Sequence, residues 1–403
     1  MPPQLRGHVG DRPYPSSVGD SALCLPTAID GIFGPTTDMP RTPYYLIDKS
    51  ALSHNMQIID RVREDAGVKV LLALKCFAAW AVFDVMKPHM DGTTSSSLYE
   101  VKLGRTRFGG ETHAYSVGFA DHEIREVVAH CDKIIFNSIG QLQRFRGVAG
   151  GKPVGLRLNP GVSCTGFDLA DPARPFSRLG ECDPARIRSV LDRIDGVMIH
   201  NNCENNEFDR FDALLTEIEH SYADILNRLG WVSLGGGISF TEPGYPVDRF
   251  CERLRGFGQA HSVQVYLEPG EAAVRNATTL EVSVLDTGFN GKNLAVVDSS
   301  TEAHMLDLLI YRESARFGGH GGDHVYQICG KTCLAGDIFG EARFDRLLQI
   351  GDRISIGDAG GYTMVKKNWF NGIHMPAIAI RELDGSERLV REFSFDDYVN
   401  SLS

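Results

Sequence analysis

The 403-residue chain has no CxxC pair, and its nine cysteines are scattered. That pattern offers neither a zinc site nor a disulfide framework, and it points to a reducing, cytoplasmic compartment. No apolar run reaches bilayer length, and the N-terminus lacks the apolar core of a signal peptide. Positive charge is also in short supply: 41 Lys and Arg stand against 52 Asp and Glu, a net charge of -11. A surface of that sign argues against nucleic acid or an anionic membrane as partner and is compatible with a cationic substrate. Internal repeats and low-complexity segments are missing. The ordinary shares of hydrophobic (42%) and charged (23%) residues read as a soluble globular enzyme. The length suits a barrel-sized domain plus a smaller one.

What is present is best read from residues 68–80, VKVLLALKCFAAW. The run is short, apolar and continuous, as in a strand buried on both faces. It ends at Lys75, and an apolar, helix-like segment over 77–86 follows. A lysine at the end of a buried parallel strand is costly unless it is paired or used in chemistry. Such strand ends carry the active sites of parallel α/β barrels, and a lysine amine can form a Schiff base with an aldehyde cofactor such as pyridoxal phosphate. The alternative is a lysine that snorkels past the strand end to water.

Residues 1–41 are rich in Pro, Gly, Ser and Asp and read as a surface arm. The stretch PYYLIDK at 43–49 is the first strand-like piece, and residues 50–64 carry helical spacing through Leu52, Met56, Ile59 and Val62. Strand candidates then follow at 68–74, 92–95, 112–117, 133–137, 154–159, 197–201, 231–234 and 263–268, with helical stretches clearest at 207–228 and 247–259. Eight strands alternating with helices predict a (β/α)8 barrel over residues 42–280. From about 281 to 403 the segments TTLEVSVLDT, NLAVVD, HVYQICG and DRISIGDAG predict a mostly β domain.

Polar residues gather at the barrel strand ends. Lys75 follows the first strand, His200 ends the sixth, Gly235–Gly237 end the seventh, and Glu268, Pro269 and Gly270 end the eighth. Successive glycines before a helix leave backbone N–H groups open to a phosphate, although a triple glycine alone also reads as a tight turn. His200 alone reads as a core histidine, and Glu268 alone as a structural carboxylate. All of them on one rim is the more specific pattern.

These residues make the chain recognisable. It resembles the fold-type III pyridoxal-phosphate enzymes, the alanine racemase and ornithine decarboxylase group, and within it the decarboxylases of carboxylated polyamines. The resemblance covers residues 42–380. Its carriers are LLALKCFA around Lys75, TTSSSLYE at 93–100, GLRLNP at 155–160, SRLG at 177–180, His200 with Cys203 and Glu204, LGGG at 234–237, LEPGEA at 267–272, TEAHMLD at 301–307, CGKTCLAGD at 329–337 and GYTMVK at 361–366. Four departures stand out: Cys76 where the family usually has glycine, Gly361 where it has histidine, His-Asn-Asn-Cys-Glu in place of His-Thr-Leu-Cys-Glu, and a longer N-terminal arm.

The resemblance implies roles. Lys75 would hold the cofactor, His200 would stack on its ring, and Glu268 would face the ring nitrogen and keep it protonated. A protonated ring is the stronger electron sink, so glutamate there argues for decarboxylation over racemisation. Gly236, Gly237, Gly270 and Tyr362 would cradle the phosphate, and Arg157 would support the ring. Cys333 would enter from a second subunit as proton donor, which makes the enzyme a homodimer with shared sites. Glu271, Asp307, His304 and Asp337 would bind the cationic substrate. Two other readings stay open: the same chemistry on another amino acid or natural-product intermediate, and a pyridoxal-phosphate-binding protein without catalysis.

Overall fold

The computed structural model describes residues 39–318 and 321–403. The expected N-terminal arm, 1–41, therefore lies outside the described residues except for its last three.

Eight parallel strands close a barrel: β2 (Lys69–Ala73), β3 (Gly92–Ser95), β4 (Glu111–Ser116), β5 (Lys133–Phe136), β6 (Val154–Arg157), β7 (Gly196–Met198), β8 (Trp231–Ser233) and β9 (Gln264–Leu267). These are the eight strands read from the sequence, each within a few residues of its expected bounds. The ring is shut by β2 pairing with β9. Helices Phe208–Leu226 and Val247–His261 bury one apolar face each, Phe211, Leu215, Ile218 and Tyr222 on the first, Phe250, Leu254 and Phe257 on the second. The segment after Lys75 forms less helix than its composition predicts. Cys76 and Phe77 both donate backbone N–H to Ala73 O in a tight turn, so only Trp80–Val82 and Phe83–Met86 are helical.

A polar plug fills the N-terminal end of the barrel. The Glu111 carboxylate accepts from Lys133 at 2.6 Å, from His113 Nε2 at 3.0 Å, from Tyr266 at 3.0 Å, and from Lys69. Burial opposes its ionisation, but His113, Lys133 and Lys69 outweigh that and hold the carboxyl well below its usual range. With that end sealed, the C-terminal rim is left for chemistry.

The second domain is a nine-stranded sheet built from both ends of the described chain. β1 (Tyr44–Asp48), expected to open the barrel domain, pairs instead in this sheet, antiparallel to β10 (Thr278–Phe289) and parallel to β16 (Ala377–Arg381). An apolar pentapeptide names no partner by itself, which is why its sheet is not readable locally. The order runs β14 (Ile338–Phe344), β13 (His324–Cys329), β11 (Asn293–Val297), β10, β1, β16, β17 (Glu387–Arg391), while β15 (Arg353–Gly357) pairs with β10 and with β12 (Arg316–Phe317). Helix Lys49–Ala66 ties the two parts. Asp48 caps it by accepting from Ser50 N and Ala51 N, and Leu52, Met56, Ile59 and Val62 are buried. Among the described residues no helix is long and apolar enough to cross a membrane.

Candidate active site

At the C-terminal rim of the barrel a cavity of about 420 Å³ is lined by Lys75, Arg157, His200, Glu268 and Tyr362, with Gly236, Gly237 and Gly270. Lys75 stands in the turn after β2, its side chain open to this cavity but surrounded by protein. Burial pushes its ammonium below the ordinary value; Glu268 opposes this, and Arg157 adds to it. A lysine biased toward the neutral amine is the form that attacks an aldehyde.

His200 lies after β7, with Nε2 3.5 Å from the Lys75 amine. Its Nδ1 accepts the Gly236 N–H at 3.2 Å, which leaves the imidazole proton on Nε2. Burial, then Lys75 and Arg157, hold it well below its ordinary range, so the ring is neutral. The three glycines allow this closeness. A Cβ on Gly235 would lie 2.5 Å from His200, one on Gly236 2.2 Å from Glu268 O, and one on Gly237 2.1 Å from Asn202 O. Among the described residues the N–H groups of Gly237 and Gly270 have no partner. Free amides on glycines at a strand-to-helix turn fit a phosphate group.

Glu268 is 8% exposed. Its Oε1 accepts from Ser233 at 2.6 Å, and no other donor reaches the carboxylate among the described residues. Arg157 ends β6 and donates to Tyr115 O–H at 2.7 Å and to His200 O at 3.2 Å. Tyr115 in turn donates to Asn137 Oδ1 at 2.9 Å. Tyr362 lies against the lysine turn, its backbone N–H bonded to Cys76 O at 2.9 Å. Burial raises its phenol well above the ordinary value, so it stays protonated. A lysine amine, a neutral imidazole beside it, one carboxylate and free glycine N–H groups are a donor set that suits pyridoxal phosphate. The residues fit the group.

Glu271 and Asp307 also line this cavity. Glu271 is pushed up to about 7 by burial, then by the carboxylates of Glu204, Asp358 and Asp307. Asp307 pairs with the Lys366 amine.

The other three expected residues are placed elsewhere. His304, expected at the substrate, is fully buried in the sheet domain with Nδ1 2.9 Å from Ser299 Oγ. Asp337 is 3% exposed and takes four hydrogen bonds, from the backbone and hydroxyl of both Thr301 and Thr332. With every oxygen engaged, it braces the segment that carries Cys333. Cys333 is exposed, held through its backbone N–H by Asn371 Oδ1 at 2.8 Å, and does not line the cavity of its own chain. Sequence reading missed Tyr115 and Ser233. Each sits at or near the C-terminal end of a strand, which is the one signal that could have marked them.

Residues 44–360 match the family described as pyridoxal-dependent decarboxylase, C-terminal sheet domain. A carboxynorspermidine/carboxyspermidine decarboxylase of Herminiimonas arsenicoxydans is 79% identical over 365 residues, which is 91% of this chain and 100% of that one. A carboxyaminopropylagmatine decarboxylase of Synechocystis is 33% identical over 93% of this chain and 99% of its own. The crystal structure of carboxynorspermidine decarboxylase complexed with norspermidine, from Campylobacter jejuni, superposes with a TM-score of 0.82 at 34% identity, over 90% of this chain and 100% of that one. A lysine-bearing barrel rim, a C-terminal sheet and these matches lead to one conclusion: the chain belongs to the pyridoxal-dependent decarboxylases, with pyridoxal phosphate as its cofactor.

Proposed function

We propose that the enzyme removes CO2 from a carboxylated polyamine, carboxynorspermidine or carboxyspermidine, and releases norspermidine or spermidine. The observation that carries this reading is a second cavity of about 280 Å³, which shares Glu204, Glu271, Asp307 and Tyr311 with the first. It is lined by six carboxylates, Glu204, Glu242, Glu271, Asp307, Glu313 and Asp358, against two arginines. Arg275 pairs with Glu242 and Arg316 with Asp358. Among the described residues Glu204, Glu271 and Glu313 have no ion-pair partner. Burial, then Glu313 and Asp307, raise Glu204, and Glu271 shares the same strain. A row of repelling carboxylates beside the lysine is relieved by a chain of ammonium groups, which short amino acids do not have.

Pyridoxal phosphate, when bound, supplies the sink for the electron pair that CO2 leaves behind. Lys75 would hold it, the free N–H groups of Gly237 and Gly270 with Tyr362 would bind its phosphate, Gly236 would serve by holding His200, His200 and Arg157 would steady the ring, and Glu268 would accept from the ring nitrogen. Glu271 and Asp307 hold the far ammonium groups. Cys333, exposed and not part of its own chain's cavity lining, would deliver a proton to the carbon that lost CO2 in a partner subunit's site, which makes the active form a homodimer. His304 and Asp337 brace the segments that carry Asp307 and Cys333.

The Synechocystis relative supports a second reading, a guanidinium-ended substrate, which the same carboxylates would bind. The test is a panel of carboxynorspermidine, carboxyspermidine, carboxyaminopropylagmatine, diaminopimelate, ornithine and lysine on the cofactor-loaded enzyme, read by CO2 release and product mass. Turnover confined to the short amino acids would overturn the polyamine reading.

A further inference from the structure

We propose that Ser233 is a positioning residue of the decarboxylation: its hydroxyl locks the Glu268 carboxylate that meets the cofactor ring. The inference rests on the role given above to Glu268. Ser233 is the last residue of β8 and is 0% exposed, inside the closed barrel between β7 and β9. Its Oγ accepts the Gly235 N–H at 3.2 Å and donates to Glu268 Oε1 at 2.6 Å. The incoming N–H occupies the oxygen and fixes where its proton points. Glu268 gains one strong, directed donor, and only one among the described residues.

That count matters. A glutamate has three rotatable bonds, and a carboxylate with no donor in a buried place drifts or takes up a proton. A carboxylate saturated by donors would have no oxygen left for a ring nitrogen. With Oε1 held by Ser233, Oε2 is the free acceptor, and Glu268 lines the cavity. The same hydroxyl also holds Gly235, the first glycine of the turn. Gly236, the next, donates to His200 Nδ1. One serine thus sets the carboxylate at the ring's nitrogen and supports the histidine at its face.

The experiment compares Ser233→Ala and Ser233→Thr with Glu268→Gln in the cofactor-loaded enzyme. The readouts are kcat and KM per bound cofactor, the pH dependence of the bound cofactor's absorbance, and the melting temperature. Ser233→Ala is expected to lower kcat about tenfold with KM within about twofold and to shift the midpoint of the absorbance titration by about one pH unit. Ser233→Thr keeps the hydroxyl and restores most of kcat and the midpoint. A fall in melting temperature or cofactor content with unchanged kcat per bound cofactor would overturn the proposal and leave Ser233 a packing residue. A large Glu268→Gln effect beside a silent Ser233→Ala would overturn it alone. A silent Glu268→Gln would overturn the Glu268 role together with it.

Discussion

The barrel rim and the sheet domain contribute to the site in different ways. The rim brings Lys75, Arg157, His200 and Glu268 to one cavity from the ends of four separate strands. The sheet domain also places Tyr362 and Asp307 there, yet it keeps His304 and Asp337 as internal braces and leaves Cys333 exposed. A closed barrel makes its strand ends converge, so residues far apart in sequence meet by topology alone. An open sheet has no such centre, and a residue on one of its loops reaches only where that loop is aimed. The rim residues meet in one cavity of a single chain, whereas Cys333 does not line that cavity.

The sharpest break in this comparison lies on the rim. Lys75→Ala should leave no cofactor trapped by borohydride at that position and lower turnover by roughly a thousandfold. A trapped adduct on another lysine would mean that the rim is not the cofactor's anchor. On the sheet side, Cys333→Ala should lower turnover by about a hundredfold while the cofactor stays bound. Mixing the Cys333→Ala and Lys75→Ala chains should restore activity, because one composite site then has both residues. No recovery from a verified mixed dimer would show that the site is finished within one chain.

Smaller effects are expected where the two halves meet. Glu271→Gln and Asp307→Asn should each raise KM for a carboxylated polyamine by roughly tenfold, with little change for short amino acids. The sign with pH follows from Glu271. Its carboxyl is pushed up to about 7, so it is neutral below that pH and charged above it. KM for the polyamine should therefore fall as pH rises through about 7, and Glu271→Gln should remove that part of the profile. Equal losses on long and short substrates would return both carboxylates to a structural role.

The difference between the halves also explains what was legible in the sequence. Lys75, the triple glycine and Glu268 were readable because each ends a strand that the alternation of elements marks. Tyr115 and Ser233 end or nearly end strands as well, but a tyrosine or serine there reads as any strand residue until its partner, Arg157 or Glu268, is seen at 2.7 or 2.6 Å. In the sheet domain proximity in sequence misled. His304 is three residues from Asp307 yet points into the core, and Asp337 is four from Cys333 yet bonds to Thr301 and Thr332. Direction of a side chain on a short helix or loop is set by packing, which one chain's pattern does not state. The strand Tyr44–Asp48 was visible as a strand, but its partners lie more than 200 residues away.

The smallest effect tests the seam itself. Cys76 and Gly361, where the resemblance leads one to expect glycine and histidine, prove to be neighbours. A Cβ on Gly361 would lie 3.3 Å from Cys76 Sγ and 2.9 Å from Glu271 Cγ. Gly361 lines the acidic cavity, while Cys76 directly follows Lys75. The backbone at Gly361 does not need a positive φ, so alanine there adds a methyl group without backbone strain. Glu271 must shift its side chain, while the buried Cys76 thiol need give only a few tenths of an ångström. If the halves are separable, the movement falls on Glu271, and Gly361→Ala should raise KM for the polyamine about threefold, with cofactor retention unchanged. If the lysine turn moves instead, cofactor retention should fall and short substrates should suffer equally. Because Tyr362 N–H is bonded to Cys76 O at 2.9 Å, the turn is held in place from the sheet side. That bond favours the first outcome: the side chain of Glu271 yields before the backbone of the lysine turn.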